Sequence, residues 1–159
     1  MIPGSNKTKL INVTPVLTSS TDDSYLANDY IGTDLVPMTF SNVVDKEGGA
    51  GNILGCVLIE DEHQHIAGEL WLFDTTIVTP IDSAAWTITD AMAKTCLGVI
   101  PFATYYNSVL NSVCVGALTN KLPFTCVAGS KDIYGAFVTR GAPNLEIDSM
   151  TFRLSIEQD

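Results

Sequence analysis

Charge is the first thing this sequence is short of. Only 16% of its 159 residues are Asp, Glu, Lys or Arg, against roughly 25% in an ordinary soluble domain. The shortage is on the basic side. Eight Lys and Arg stand against eighteen Asp and Glu, for a formal net charge of −10 and a pI near 4.3, and the basic residues form no cluster. Such a field repels a phosphate backbone, which argues against direct nucleic-acid binding. Long apolar runs are also missing: stretches such as Leu70–Phe73 last a few residues, far short of a membrane span. Residues 1–8 lack the charged and apolar regions of a signal peptide, so the chain is expected to have no membrane partner and to be made and kept in a cytoplasm. Close cysteine pairs are absent, since Cys56, Cys96, Cys114 and Cys126 are never nearer than 12 positions to one another. Zinc and redox motifs usually carry a tight pair, so these four are expected to be core thiols.

Catalytic equipment is thin as well. No serine lies in Gly-x-Ser-x-Gly, and Gly48-Gly-Ala-Gly-Asn52 lacks the Gly-Lys-Ser/Thr ending of a phosphate-binding loop. The glycines there read as a tight turn. Asp22-Asp23 could serve as an acid pair or bind calcium, but acids beside serines in a linker are ordinarily just solvated. The expectation is no catalytic residue and no cofactor.

What is present is β pattern. In the final segment Met150, Phe152, Leu154 and Ile156 alternate with Thr151, Arg153, Ser155 and Glu157, the period of a strand with one buried face. Further strands are expected at 35–44, 53–59, 69–74, 99–102, 113–117, 122–126 and 134–139, separated by turn signals such as Ile31-Gly-Thr-Asp and Ala128-Gly-Ser. Pro37 marks an edge or a bulge. Trp71 and Phe73 alternate with Leu70 and Leu72, as in a strand buried on both sides, which competes with a sugar-stacking platform built from Trp71, Trp86, Tyr105 and Tyr106. Thr89 can cap a short helix over 90–97, with Gly98 as its stop. The predicted fold is all-β, a β-sandwich or jelly roll, with that one helix and an extended N-terminal arm.

At this length the chain buries about two-thirds of its unfolded surface, enough for one domain without a staple. The arm is assigned to 1–24 and the body to 25–159, with Ser19-Ser-Thr-Asp-Asp23 as a hinge. Its β-branched stretch can pair within its own domain or add to a neighbour's sheet. Contact with a neighbour is the favoured reading, and Leu10, Ile11, Val13, Val16 and Leu17, with Arg140, are the candidate subunit or capsid contacts. For Arg140 a local salt bridge is the competing reading.

One motif pulls the other way. His63-Gln-His65-Ile-Ala-Gly-Glu69 resembles the first metal motif of cupins, themselves jelly rolls, where two imidazoles and a carboxylate hold a divalent ion. Cupins add a third histidine, and His63 and His65 are the only two here. Val57 and Thr76 stand where that motif has glycine. No metal is expected, and His63, His65 and Glu69 are the residues that would hold one.

A second resemblance covers roughly 25–159. Tyr30-Ile-Gly-Thr-Asp-Leu, Met38-Thr-Phe-Ser-Asn, Gly48-Gly-Ala-Gly-Asn-Ile-Leu-Gly, Leu70-Trp-Leu-Phe-Asp, Thr87-Ile-Thr-Asp-Ala, Tyr134-Gly-Ala-Phe-Val-Thr-Arg-Gly-Ala-Pro and Phe152-Arg-Leu-Ser-Ile-Glu-Gln-Asp resemble small virion proteins of tailed bacteriophages. The resemblance implies a non-enzymatic decoration or cement protein on the capsid exterior, a homotrimer whose partner is the major capsid protein. The alternatives are a virion adhesion or carbohydrate-binding sandwich and a cupin-like metal enzyme.

Overall fold

The computed structural model describes residues 7–17, 23–145 and 149–159. Most of the expected hinge, 19–22, lies outside the described residues, as does Asp22 of the acid pair. In chain order the elements are β1 (Lys7–Val13), β2 (Asp23–Ser24), β3 (Tyr30–Ile31), β4 (Met38–Phe40), β5 (Ala50–Glu60) and β6 (Gly68–Phe73). Then follow α1 (Asp90–Ala93), β7 (Cys96–Phe102), β8 (Tyr105–Asn107), β9 (Ser112–Val115), β10 (Leu122–Thr125), β11 (Ile133–Thr139), β12 (Asn144–Leu145) and β13 (Met150–Gln158).

These strands make an all-β sandwich of two antiparallel sheets. The first runs β1-β13-β5-β9-β8, with β10 beside the first residues of β5; the second runs β3-β11-β6-β7, with β4 also on β11. β12 and β2 form a small ribbon. Within the first sheet β13 pairs with β5 over Met150–Gln158 and with β1 over all seven β1 residues, so β1 adds to the sheet of its own domain.

Side-chain parity explains the layers. Met150, Phe152, Leu154 and Ile156 are all buried, as their alternation demands. β5 needs one correction of phase to run eleven residues along the core. Gly51 and Ile53 face inward, then the register slips between Ser155 and Ile156, leaving Leu54 as an extra residue, and Cys56, Leu58 and Glu60 take over the inward face. That is what a β-bulge does to parity. Between the sheets Phe137 and Phe152 sit 5.1 Å apart, and Phe102 lies 6.1 Å from each.

The second sheet is covered on its outer face too. Tyr30, Phe73, Ile77 and Ala136 form a separate cluster with Trp71, Trp86, Ile88, Met92 and Tyr134 packed against it. Leu70 and Leu72 belong to the inner core, so β6 is buried on both sides as its unbroken apolar run requires. The excursion between β6 and β7 supplies the cover.

The helix is shorter than its expected span. It is one turn, Asp90–Ala93, with the Thr89 hydroxyl accepting the Met92 N–H at 3.2 Å. Cys96 and Leu97 are already strand, drawn into β7 by pairing to β6. Gly98 is therefore no helix stop. Its φ of 154° lies beside a second register slip, and a Cβ there would stand 2.8 Å from the Leu122 side chain. Cys56, Cys114 and Cys126 are buried free thiols and Cys96 is half-buried. Burial pushes Cys56 up to about 12 and Cys126 to about 11, so neither supplies a thiolate at neutral pH.

Candidate functional site

The acidic loop after β5 is organised by its first residue. Glu60 is fully buried, and its carboxylate accepts the Gln64 N–H, the His65 N–H at 2.9 Å and the Ser112 hydroxyl at 2.9 Å. The loop turns through His63 and His65 at φ 54° and 51°, a left-handed conformation uncommon for residues with a Cβ. Glu60 is the anchor that holds it. The His65 ring stacks on Tyr105 at 5.4 Å, with Nε2 2.7 Å from Asn107 Oδ1. The Tyr105 hydroxyl donates to the Ile66 carbonyl at 2.7 Å, and burial pushes its pKa well above the ordinary tyrosine value. His63 Nε2 is buried without a hydrogen-bond partner.

The third letter of the cupin-like motif goes elsewhere. Glu69 receives Arg140 at 2.6 Å and the Trp71 indole N–H at 3.2 Å. Among the described residues no three His, Cys, Asp or Glu side chains gather as metal ligands. Arg140 also donates to Asn28 Oδ1, so it forms the local salt bridge and ties β11 to the loop before β3.

That pair gives a pH expectation. The hydrogen bond from Arg140 is the largest influence holding the Glu69 carboxyl below its ordinary 4.5. A carboxylate depressed in the folded state contributes stability above its unfolded pKa and loses it as pH falls through the folded one. Arg140→Ala is expected to cost about 0.5–1 kcal/mol at pH 7, since both partners are partly solvated. The gap from the parent should close as pH is lowered below 4.5. Urea unfolding of both chains across that range checks it; a gap that widens in acid rules the pair out as its source.

The expected contact residues divide by parity. β1 is the edge of the first sheet; Ile11 and Val13 pack against the core and Leu17 is buried, while Leu10 and Val16 point outward. Lys9 and Lys7 fold onto Asp45 at 2.7 and 3.1 Å. They hold its carboxyl far below the usual range, Lys9 foremost, with Gln158 assisting. The outward face of β1 is therefore Thr8, Leu10 and Asn12, without charge.

Val16 lies against a further aliphatic surface. Thr33 donates to the Val16 carbonyl at 2.9 Å, and the Leu35 N–H to that of Pro80 at 3.2 Å. Leu35, Val36, Val78 and Ile81 stand exposed there. Buried Asp82 pins these loops, accepting the Tyr25 hydroxyl at 3.0 Å and the Gly32 and Ser83 N–H groups at 3.1 Å. Neither Glu60 nor Asp82 is singled out by sequence reasoning, because each reads as one more acid until its donors are in place.

The four aromatics do not make a platform. Trp71 and Trp86 lie 5.7 Å apart within the outer cluster, Trp86 stacks on Tyr30 at 6.0 Å, and only Tyr106 is openly exposed. The β8–β9 hairpin holds the surface that sequence reasoning missed. Val109 and Leu110 at its tip are 91% and 79% exposed. The signal available was a Val-Leu pair bracketed by Ser108 and Asn111.

Neither family models, curated proteins nor solved structures give a match to this chain. The functional reading therefore stands on these surfaces and on the segment resemblance described above.

Proposed function

We propose that this protein is a non-enzymatic virion structural protein that decorates or cements the outer face of a bacteriophage capsid, acting as a homotrimer on the major capsid protein. The observation that carries the reading is the surface: Val16, Leu35, Val36, Val78 and Ile81 stand exposed on and beside loops tied together through the Thr33–Val16 and Leu35–Pro80 hydrogen bonds. Scattered exposed aliphatics are normal, but a patch set on loops pinned by a buried acid is a place for contact. The acidic body suits the solvent side of a shell and is repelled by packaged DNA. The chain would be made in the bacterial cytoplasm and end on the virion exterior.

Cement needs no turnover. A protein that binds only the assembled shell stabilises it by mass action, and many symmetry-related copies make weak single contacts effective. The test is light scattering on the purified chain, combined with co-sedimentation with shells of the virus that encodes it. A trimer that sediments with shells supports the reading. A chain that ignores shells overturns it.

A further inference from the structure

The two sheets of the sandwich differ on their outer sides. The second is covered by the chain between β6 and β7, which lays Trp86, Ile88 and Met92 against it. Over the first sheet no second cluster forms among the described residues, yet its outward positions are apolar. Strand parity puts Val57 and Ile59 of β5, Val113 and Val115 of β9 and Tyr106 of β8 on that side, in register with one another. Leu10 of β1 joins them at the far edge. A solvated sheet face ordinarily carries the polar half of the alternation. Here four β-branched aliphatics occupy it, with Val115 63% and Tyr106 68% exposed.

Acids are missing from this face. Among the outward residues of β1, β5, β8 and β9 there is no Asp or Glu, and the outward Glu157 near the end of β13 is paired with Lys121. Arg153 stands in the middle, exposed, between Asn12 of β1 and Val57 of β5. In a chain of net charge −10 a cation easily finds a counter-charge: Arg140 has Glu69, Lys7 and Lys9 share Asp45, and Lys121 has Glu157. Arg153 makes no ion pair among the described residues. Arginine is weakly hydrated for a cation and suits carboxylates at interfaces.

Gly55 lies two residues along the same face, opposite Ser155. Its φ is not positive, so the neighbouring bulge does not require glycine, and a Cβ there would meet no atom within 4 Å. Glycine weakens a strand interior and marks places where another backbone comes close. Nothing in this fold demands it at 55, and its bare surface lies beside Arg153.

We infer that the outer face of the first sheet is the surface that docks on the shell, and that Arg153 there receives a carboxylate of the major capsid protein set among aliphatic side chains. The partner's identity rests on the proposed function; the carboxylate rests on an arginine that docking would bury without an acceptor unless the partner brings one. Two copies of this face cannot meet, since each brings a cation and neither brings an acid. An open sheet face also suits a protein surface more than a small molecule, whose sites are concave.

Co-sedimentation of the full chain with shells of the virus that encodes it, read as a binding curve, compares the parent with three variants. Arg153→Met should bind at least about thirtyfold more weakly, the scale of a lost interfacial charge pair. Arg153→Glu should bind more weakly still, and both should melt where the parent does. Added salt should weaken the parent's binding more than that of Arg153→Met, which has no charge left to screen. In Gly55→Val the new side chain enters open space in the free chain, so its melting temperature should hold or rise while shell binding falls at least about fivefold, the scale of mild overpacking. Should that variant melt early, Gly55→Ser takes its place. A parent that ignores shells overturns the proposed function and this assignment with it. A parent that binds while Arg153→Met or Gly55→Val binds as tightly overturns this assignment alone, as does a salt response that Arg153→Met leaves unchanged.

Discussion

Phe152→Ala is expected to cost about 3–5 kcal/mol of folding stability, the range for truncating a fully buried aromatic ring. Phe152 is 0% exposed and stands where the two sheets face each other. It meets Phe137 from β11 at a tilt of 51° and Phe102 from β7 edge to face, with ring centroids 5.1 and 6.1 Å away. Its strand is also the one that β1 and β5 both pair with. Two terms add. The ring's transfer energy is lost, and the cavity stays open because strands on both sides of β13 restrain collapse toward it. Against a total stability of about 5–15 kcal/mol for a domain, such a loss removes from about a fifth to nearly all of the folding free energy. Equilibrium urea unfolding measures it. A loss under about 1.5 kcal/mol, the scale of a volume-conserving swap, would mean that the three rings are not a packed unit.

The same ring marks how far the sequence can be read. β13 is legible because one face is core and the other is not, so its alternation survives tertiary packing. β6 is legible as a strand buried on both sides, since Leu70, Trp71, Leu72 and Phe73 leave no polar side to expose. Parity slips are different. Nothing in Asn52-Ile-Leu-Gly55 announces that Leu54 is the extra residue, because a bulge is set by which partner strand lies alongside. The overlong helix has the same cause: Ala91 to Leu97 is sound helix composition, and only the pairing of Cys96 with Phe73 makes the chain extend instead. Long-range pairing overrode local propensity in both places.

For the surfaces the division runs along burial. Leu10 and Val16 could be named from sequence as contact candidates, but separating them from Ile11, Val13 and Leu17 needs the strand's parity against the core. His63 and His65 drew notice by residue type, whereas the group that shapes their loop is Glu60, four and five residues before the amides it accepts. Val109 and Leu110 could not be seen as a tip without the hairpin that carries them.

Glu60→Ala is expected to destabilise the fold by about 2–4 kcal/mol. The substitution removes an acceptor and leaves three donors behind, and an orphaned buried donor costs about 1–3 kcal/mol. The sum is held down because Gln64 and His65 are exposed and their N–H groups can turn toward water. Ser112 cannot do so, being 0% exposed on β9 directly opposite Glu60. Glu60→Gln keeps the shape and one acceptor oxygen but turns its NH2 toward a backbone N–H of Gln64 or His65, which cannot accept, so it should recover only part of the loss. Ser112→Ala removes a donor without stranding another and should cost about 1 kcal/mol, the worth of one ordinary hydrogen bond. The ordering Glu60→Ala, then Glu60→Gln, then Ser112→Ala separates a donor-satisfying anchor from simple packing, which would rank Glu60→Gln as nearly neutral. Amide hydrogen exchange adds a local readout: protection at Gln64 and His65 should vanish in Glu60→Ala while the β13 amides keep theirs in proportion to the remaining global stability. If the loop amides stay protected, something other than Glu60 holds His63 and His65 in their left-handed turns.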